Sequence, residues 1–470
     1  MKQFFNLVVP MAGRGSRFTE QGYTDSKPFI DIEGKPMIQR VIENLNFEFN
    51  SEFKTIILCQ KSDYERYDFS IFKEIIGHDN IEIIQVDGIT EGAACTLLLA
   101  KEFINSDVPM LSFNTDQMID YDVDGTFFKM QNFDGGIPCF WGDSTDWSYA
   151  KTDEAGVVTE VAEKKVISND ATAGYYYWSK GSDFVKYAEQ MIESNDRVNN
   201  EFYVAPVYNY AIKDGKKICI TQVDAIYELG TPEYLNRYLK LQELKRYIMR
   251  HAHCYLPVAV NGKIIRDGKR RLAENQYMRL NHFDVKDKTV VDFGSNSGYL
   301  TIECLKKGAK YCLGIESSNN TFTEIAKLTV EASGLTNIDF IRNDISLPKN
   351  TFNYGFRDTP PPAVQEKMPF DVGLFLSPFA VHFIDEGIEY GEASYQDCIS
   401  QLKCIIHYAK IWYVEPTLAI ENRPKDKETV KDWGLEYLAQ FGKVEFLDYT
   451  DYQNRPLFKI YTEYKDSSFI

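Results

Sequence analysis

Basic residues are in short supply in this 470-residue chain: 52 Lys and Arg face 69 Asp and Glu, a formal net charge of −17. A nucleic-acid backbone or an anionic membrane surface would be repelled, which argues against nonspecific binding to either. Small anionic substrates are not excluded, because a local cluster of Arg and Lys overrides the global sign. The nine cysteines are odd in number and scattered, and none form a Cys-x-x-Cys pair. That spacing speaks against a disulfide framework or a zinc site and for reduced thiols. No apolar run approaches the ~20 residues of a membrane span, and the run before Arg14 is too short for a signal peptide. A cytoplasmic setting is the expectation. The chain also lacks internal repeats and low-complexity tracts.

What is present points to globular α/β domains. Hydrophobic residues make up 44% and charged residues 26%, and the length asks for two or three domains. Up to about residue 240, "FFNLVVP", "FKTIILCQ", "IEIIQV", "VPMLSFNTD", "GGIPCFW" and "KKICITQV" have strand character. "KPMIQRVIENLNF" and "GAACTLLLAKEFI" show helical spacing between them. Alternation of this kind predicts a mostly parallel sheet with helices on both faces. A long helical stretch, "TPEYLNRYLKLQELKRYIMRHAH", then closes the first domain. From Lys288 the alternation resumes with "KTVVDFG", "YCLGIE", "IDFIRND", "FDVGLFLS" and "KIWYVEP" as strands. The Pro-rich "RDTPPPAVQEKMP", Arg357 to Pro369, reads as a loop bordering a site. Domains are expected at 1–240 and 275–470, with 241–274 connecting them.

Two glycine loops carry the chemistry. In "LVVPMAGRGSRFTEQGYTDSKPF" the first strand breaks into a small-residue turn, followed by Arg17 and Lys27. Glycines between a strand and a helix expose backbone N–H groups, which suits phosphate, and the two cations can neutralise charge that builds up in group transfer. "FNTDQMID" puts Asp116 just past an apolar strand, at the sheet edge where α/β proteins bind ligands. A carboxylate there can hold Mg²⁺ against phosphate oxygens. Glu163 and Lys164, in "VAEKK", precede an aromatic strand-like run.

In order and spacing, "PMAGRGSRF", "SKPFIDIEGKPMI", "TEGAACTLL", "NTDQ", "VAEKK", "NNEFYVAPVYN" and "ELGTPEYL" make the chain from Met1 to about Leu239 resemble the sugar-nucleotidyltransferase, or nucleotide-sugar pyrophosphorylase, family. The resemblance implies that Ala12, Gly13, Gly15 and the backbone between them cradle a nucleotide, with Gly92 and Ala93 near its base. It implies Arg17 and Lys27 on the pyrophosphate and α-phosphate, Asp116 on Mg²⁺, Glu163 and Lys164 on the acceptor and its phosphate, and Glu201 on the sugar. One position departs from the family: Glu228 stands where an aspartate usually completes the metal site, and it is one methylene longer. The reaction implied is attack by an acceptor phosphate oxygen on the α-phosphorus of a nucleoside triphosphate, with release of pyrophosphate.

The second loop, "VVDFGSNSGYL", has Asp292, Gly294 and Gly298 in Asp-x-Gly-x-x-x-Gly spacing, distinct from the dinucleotide pattern of glycines. Glu316 ends the next strand, well placed for ribose hydroxyls, and Asp344 ends a third, near an adenine edge. From about Asn275 to Tyr464 this set resembles the class I S-adenosylmethionine-dependent methyltransferases, which implies S-adenosyl-L-methionine as cofactor. A hydroxyl or amine acceptor would want a base, and His382 in "LSPFAVHFID" is the candidate, with Glu415 in "YVEP" a second.

The expected fold class is therefore α/β, two tandem Rossmann-like domains, each a mostly parallel sheet with helices on both faces. The expected function is a bifunctional enzyme joining a nucleotidyltransferase for a sugar 1-phosphate to a methyltransferase, in surface-polysaccharide precursor synthesis. A cytidylyltransferase for a non-sugar phosphate (a phospho-amino acid, phosphocholine or a phosphonate) and a nucleotide-binding scaffold with one inactive domain are the alternatives. The nucleobase, the methyl acceptor and the oligomeric state, a homo-oligomer included, stay open at this level.

Overall fold

The computed structural model describes residues 4–45, 53–251, 254, 256–268, 273–316, 320–342, 362–376, 402–403, 405–415, 427–450 and 455–462. It divides into two compact units, Met1–Tyr238 and Leu239–Ile470.

In the first unit, β1 (Phe5–Pro10) is an apolar run with Leu7, Val8 and Val9 all buried, as a strand covered on both faces requires. It lies parallel between β2 (Phe53–Gln60) and a fourth strand, with β3 (Ile81–Val86) parallel beyond β2 and β4 (Met110–Phe113) on the other side of β1. The order 3-2-1-4 reverses direction between β1 and β4. Loops that leave the carboxyl ends of those two strands diverge, which opens a ligand crevice there. The sheet continues with β5 (Gly135–Trp141), β6 (Ser148–Thr152), β7 (Val158–Glu163), β8 (Asp170–Thr172) and β9 (Tyr175–Trp178) in antiparallel pairings, while β10 (Ile218–Gln222) pairs parallel with β5. The parallel expectation thus holds for the strands that set the crevice, and an antiparallel extension is added to it. Aromatic bulk fills this part of the core: Trp178 stacks on Tyr208 at 4.2 Å between ring centroids, and the Tyr208 hydroxyl donates to the Tyr177 carbonyl at 2.8 Å. A separate two-stranded sheet pairs Gln117–Asp120 with Ala225–Glu228, and its register sets Glu228 opposite Gln117.

The second unit is built on a seven-stranded sheet: β11 (Thr289–Phe293), β12 (Tyr311–Glu316), β13 (Ile338–Arg342), β14 (Phe370–Leu376), β15 (Ala409–Glu415), β16 (Lys443–Thr450) and β17 (Arg455–Tyr461), in the order β13-β12-β11-β14-β15-β17-β16. The first five are mutually parallel, and β17 and β16 run antiparallel. Alternate residues feed two cores: Val290, Val372 and Tyr413 belong to one apolar cluster, Val291, Trp412 and Val414 to the other. That is the period-two burial of a sheet covered on both faces.

Residues 241–274, expected as a connecting segment, contribute to this unit. Leu256 and Ala259 join its core, and the Ser297 hydroxyl donates to the Pro257 carbonyl at 2.9 Å. In the Pro-rich stretch, Pro362–Gln365 forms a helical turn, and residues 357–361 lie outside the described residues. No helix among the described residues is long and apolar enough to cross a membrane.

Candidate functional site

The loop after β1 is shaped by Gly15. Its φ of 61° is left-handed, and a Cβ there would stand 2.8 Å from the Cβ of Lys27. Glycine is needed on both counts, and its bareness seats Lys27 against the loop. Lys27 opens the short 3-10 turn Lys27–Phe29. The Ser26 N–H preceding it donates to the Tyr67 hydroxyl at 3.0 Å, and the Tyr67 ring stacks on Phe29 at 3.9 Å. The helix that follows the loop, Ser16–Glu20, is only five residues long, so any phosphate binding rests on the loop's own N–H groups rather than on a long helix dipole. At the end of β2, Gln60 donates to the Ala12 carbonyl at 2.6 Å and to the Gly88 carbonyl at 2.9 Å, tying the loop after β1 to the one after β3.

Across the strand reversal, the Lys27 ammonium is ion-paired with Asp116 Oδ2, with the two side chains 22% and 23% exposed. Gly230 walls the pair on one side: a Cβ there would lie 2.8 Å from Asp116 Oδ2 and 3.9 Å from Lys27 Nζ. The Leu229 N–H donates to the Asp116 carbonyl at 2.8 Å, fixing the two chain segments together. Glu228 is their neighbour. Its Oε1 accepts from Gln117 Nε2 at 3.4 Å, while Oε2 is buried without a hydrogen-bond partner. Burial, and after it the charge of Asp116, pushes the Glu228 carboxyl up to about 7.

Two carboxylates, one with an orphaned buried oxygen, fit a small hard cation such as Mg²⁺. This ion takes one or two carboxylates and completes its shell with water and phosphate oxygens. The described residues contain no group of three or more His, Cys, Asp or Glu poised around one point, so water and phosphate would have to supply the rest.

The residues expected on the acceptor lie at the end of β7. Glu163 is almost wholly buried and accepts from the Ser148 hydroxyl; burial raises its carboxyl above the usual range, and the charge of Glu201 adds to that. Lys164 sits at φ 57° with its N–H on the Trp147 carbonyl at 3.0 Å and its ammonium on the Asp146 carbonyl. The Lys164 charge also acts on Glu228, so this side lies within electrostatic reach of the Asp116–Glu228 pair. Tyr203 hydrogen-bonds Glu201 and feels both Glu163 and Arg17, with burial pushing its phenol up to about 12. Arg17 and Glu201 thereby act with opposite sign on the same hydroxyl. Gly92 adopts φ 136°, and a Cβ there would come within 2.5 Å of the Phe202 nitrogen. Backbone bonds Ala94 N–H to Phe202 carbonyl (3.0 Å) and Phe202 N–H to Glu91 carbonyl (2.8 Å) clamp the two segments, leaving Ala93 exposed beside them.

The first unit therefore brings Lys27, Asp116 and Glu228 together, and Arg17, Glu163 and Glu201 around Tyr203. Gly13 faces open space. Sequence reasoning passed over Gln60, Gln117, Tyr203 and Gly230. Tyr203 and Gly230 lie inside motifs already singled out, and the two glutamines sit at a strand end and next to Asp116, where polar residues after an apolar run were a usable signal.

In the second unit Gly294 (φ 79°) and Gly298 (φ 80°) bend the loop, and a Cβ on Gly298 would lie 2.6 Å from the Phe340 ring. The N–H of Asn296 between them donates to Glu316 Oε2 at 2.8 Å. Asp292 is buried behind the loop with Oδ2 accepting from the Thr301 hydroxyl at 2.6 Å, and burial pushes its carboxyl up to about 7. It braces the loop from within. Glu415, the second candidate base, is shut from solvent in an ion pair with Arg279, whose Nη2 reaches both of its oxygens, and Arg455 Nη1 lies 3.8 Å from Oε1. A carboxylate buried between two guanidinium groups is a structural anion, and the reading of Glu415 as a base is withdrawn on that ground. Asp344 and His382 lie outside the described residues.

No protein-family model matches the chain. Over 84 residues it is 31% identical to protein arginine N-methyltransferase 1 of Oryza sativa subsp. indica, which is 18% of this chain and 21% of that protein. The subsp. japonica protein matches to the same extent, so the chain spans about a fifth of the length of the curated relatives it matches. Among solved structures it is similar to the nucleoside-diphosphate-sugar pyrophosphorylase of Vibrio cholerae RC9, at 24% identity and TM-score 0.43, covering 50% of this chain and 99% of that one. A UDP-glucose pyrophosphorylase complexed with UDP-glucose gives 17% identity and TM-score 0.42, over 52% of this chain and 100% of that one. The inositol-1-phosphate CTP transferase of T. maritima gives 13% and 0.40, over 52% and 95%. These solved structures are two pyrophosphorylases and a CTP transferase, and the short sequence match is to a methyltransferase.

Proposed function

We propose that the first unit transfers a nucleotidyl group from a nucleoside triphosphate to a sugar 1-phosphate, and that the second transfers a methyl group from S-adenosyl-L-methionine. The setting we propose is surface-polysaccharide precursor synthesis. One observation carries the first half: Lys27, Asp116, Glu228 and Gly230 converge at the strand reversal, beside a glycine loop with open space at Gly13.

Both reactants are anions. The acceptor phosphate oxygen attacks the α-phosphorus, the bond from phosphorus to the bridging oxygen breaks, and pyrophosphate leaves with the electron pair. Positioning and charge neutralisation are what such a reaction asks of the protein, and no general base is needed. Lys27 and Arg17 stand on the side of the loop that would receive the triphosphate. Lys164 would hold the acceptor phosphate, with Glu163, Glu201 and the Tyr203 hydroxyl turned to the hydroxyls of the sugar. Mg²⁺, held by Asp116 and Glu228, would supply further neutralisation of the phosphate oxygens.

For the second unit, the bent loop Gly294–Gly298 lies at the reversal between β11 and β14, with Glu316 at the tip of β12, where it would accept from ribose hydroxyls. Incubation with each nucleoside triphosphate, Mg²⁺ and a panel of sugar and non-sugar phosphates should release pyrophosphate for at least one sugar 1-phosphate. Release with a non-sugar acceptor alone would replace the substrate class. No release with any pair would end the nucleotidyl reading.

A further inference from the structure

The ion pair between Lys27 and Asp116 raises a question that the catalytic reading leaves unanswered. If Asp116 holds a divalent cation, its Oδ2 is already taken by an ammonium. Backbone closes one side of that oxygen at Gly230. Glu228 Oε2 is buried close by with no hydrogen-bond partner, and the cation that acts on Glu228, Lys164, keeps its ammonium on the Asp146 carbonyl. The site thus has one ammonium seated on one of two neighbouring carboxylates, and two cations cannot share one carboxylate oxygen without strong repulsion.

Resting on the metal site of the proposed function, we propose that Lys27 is a built-in competitor of the divalent cation: its ammonium, paired with Asp116, takes the place on that carboxylate that the ion needs. The surroundings suit a side chain that changes partner. Pro28 and the stacked Phe29 hold the backbone of the turn, and Gly15 grips the Lys27 stem at its Cβ. Only the outer methylenes need rotate, and the space beside Gly13 is open on the loop side. An incoming chain of phosphates offers the ammonium a stronger anion than a single carboxylate, so Lys27 can leave Asp116 without a change of fold. Free cation then binds poorly for a reason internal to the chain.

The test is calorimetric titration of the full chain with Mn²⁺ alone, no nucleotide present. Lys27→Met keeps the stem under Gly15 and removes the ammonium, and it should tighten Mn²⁺ by about tenfold or more. Lys27→Arg retains the charge and should bind as weakly as the parent chain. Lys164→Met removes an equal charge without freeing Asp116 and should gain less than about threefold. The Lys27→Met gain should vanish when Asp116→Asn is added. Unchanged or weaker binding in Lys27→Met, with Asp116→Asn still harmful to the parent, overturns the competitor role and leaves the metal site standing. Equal gains in Lys27→Met and Lys164→Met reduce the effect to net charge and also overturn it. Mn²⁺ binding indifferent to Asp116→Asn in every background overturns the metal site and the competitor together.

Discussion

Each unit bends its chain through a glycine loop after the first strand of its main sheet, and in each the loop opens at the point where strand order reverses. The charged groups around the two loops are engaged differently. In the first, Lys27 and Asp116 meet across the crevice with about a fifth of each side chain open to solvent (22% and 23%), and Glu228 keeps an oxygen unbonded. In the second, Asp292 turns inward and is bonded to Thr301, while Glu316 at the tip of its strand receives the Asn296 N–H on Oε2. Glycine spacing encodes the bend of a loop, because only glycine takes these conformations without strain. Which acid meets a ligand is decided by what else has already bonded it.

That contrast can be broken in several ways. The largest effect should follow Asp116→Ala or Lys27→Ala, each lowering pyrophosphate release by about 10²–10³-fold while calorimetric binding of S-adenosylmethionine is untouched. A parallel loss of methyl-donor binding would show that the two edges are not independent.

Next come two glycines of the first unit. Gly92→Ala drives a Cβ against the Phe202 backbone at a φ of 136° and should cost about 2–4 kcal/mol in denaturant unfolding. Gly13→Ala meets no protein atom within 4 Å and should stay within about 0.5 kcal/mol, its effect appearing in triphosphate binding instead. Equal destabilisation by both would refute the view that Gly13 faces ligand space.

In the second unit, Glu316→Ala should weaken S-adenosylmethionine by about 1–3 kcal/mol, the cost of unpaired ribose hydroxyls. Glu316→Gln should recover part of this, because an amide oxygen can still accept from Asn296. An unchanged affinity would remove Glu316 from the cofactor site.

A pH dependence of stability sharpens the comparison from the second unit's side. Burial holds the Asp292 carboxyl at about 7, above its ordinary 3.8. The folded state therefore keeps a proton that the unfolded chain has released. The associated stability is full below about pH 4 and lost as pH rises through 7. Asp292→Asn should flatten the melting temperature across that window, and a profile still sloping as in the parent would locate the titration elsewhere.

Much of this was legible beforehand. The strands around both crevices, the two glycine loops and the acid and basic residues near them follow from local pattern, because apolar runs and left-handed turns leave their mark within a few residues. The antiparallel extension β6–β9 was less legible, since short strands carry little periodicity and only the "YYYW" run stood out. Glu415 illustrates the limit: at the end of a strand it looked like a base, and its partner Arg279 comes from a helix far earlier in the chain.

The sequence by itself determined where the chain must bend and which residues are chemically able to handle phosphate, a cation or a ribose, for these are properties of neighbouring side chains and local backbone. Only the tertiary structure decided that Lys27 rests on Asp116, that Gln60 joins two loops, that Tyr203 feels the charges of both Arg17 and Glu201, and that Asp292 faces inward. Most of these contacts join residues on separate elements, and even Asp292 and Thr301 meet only because the strand and the helix beyond the glycine loop pack together; pairings of that kind are selected by burial and by the exclusion of competing partners, which no local pattern records.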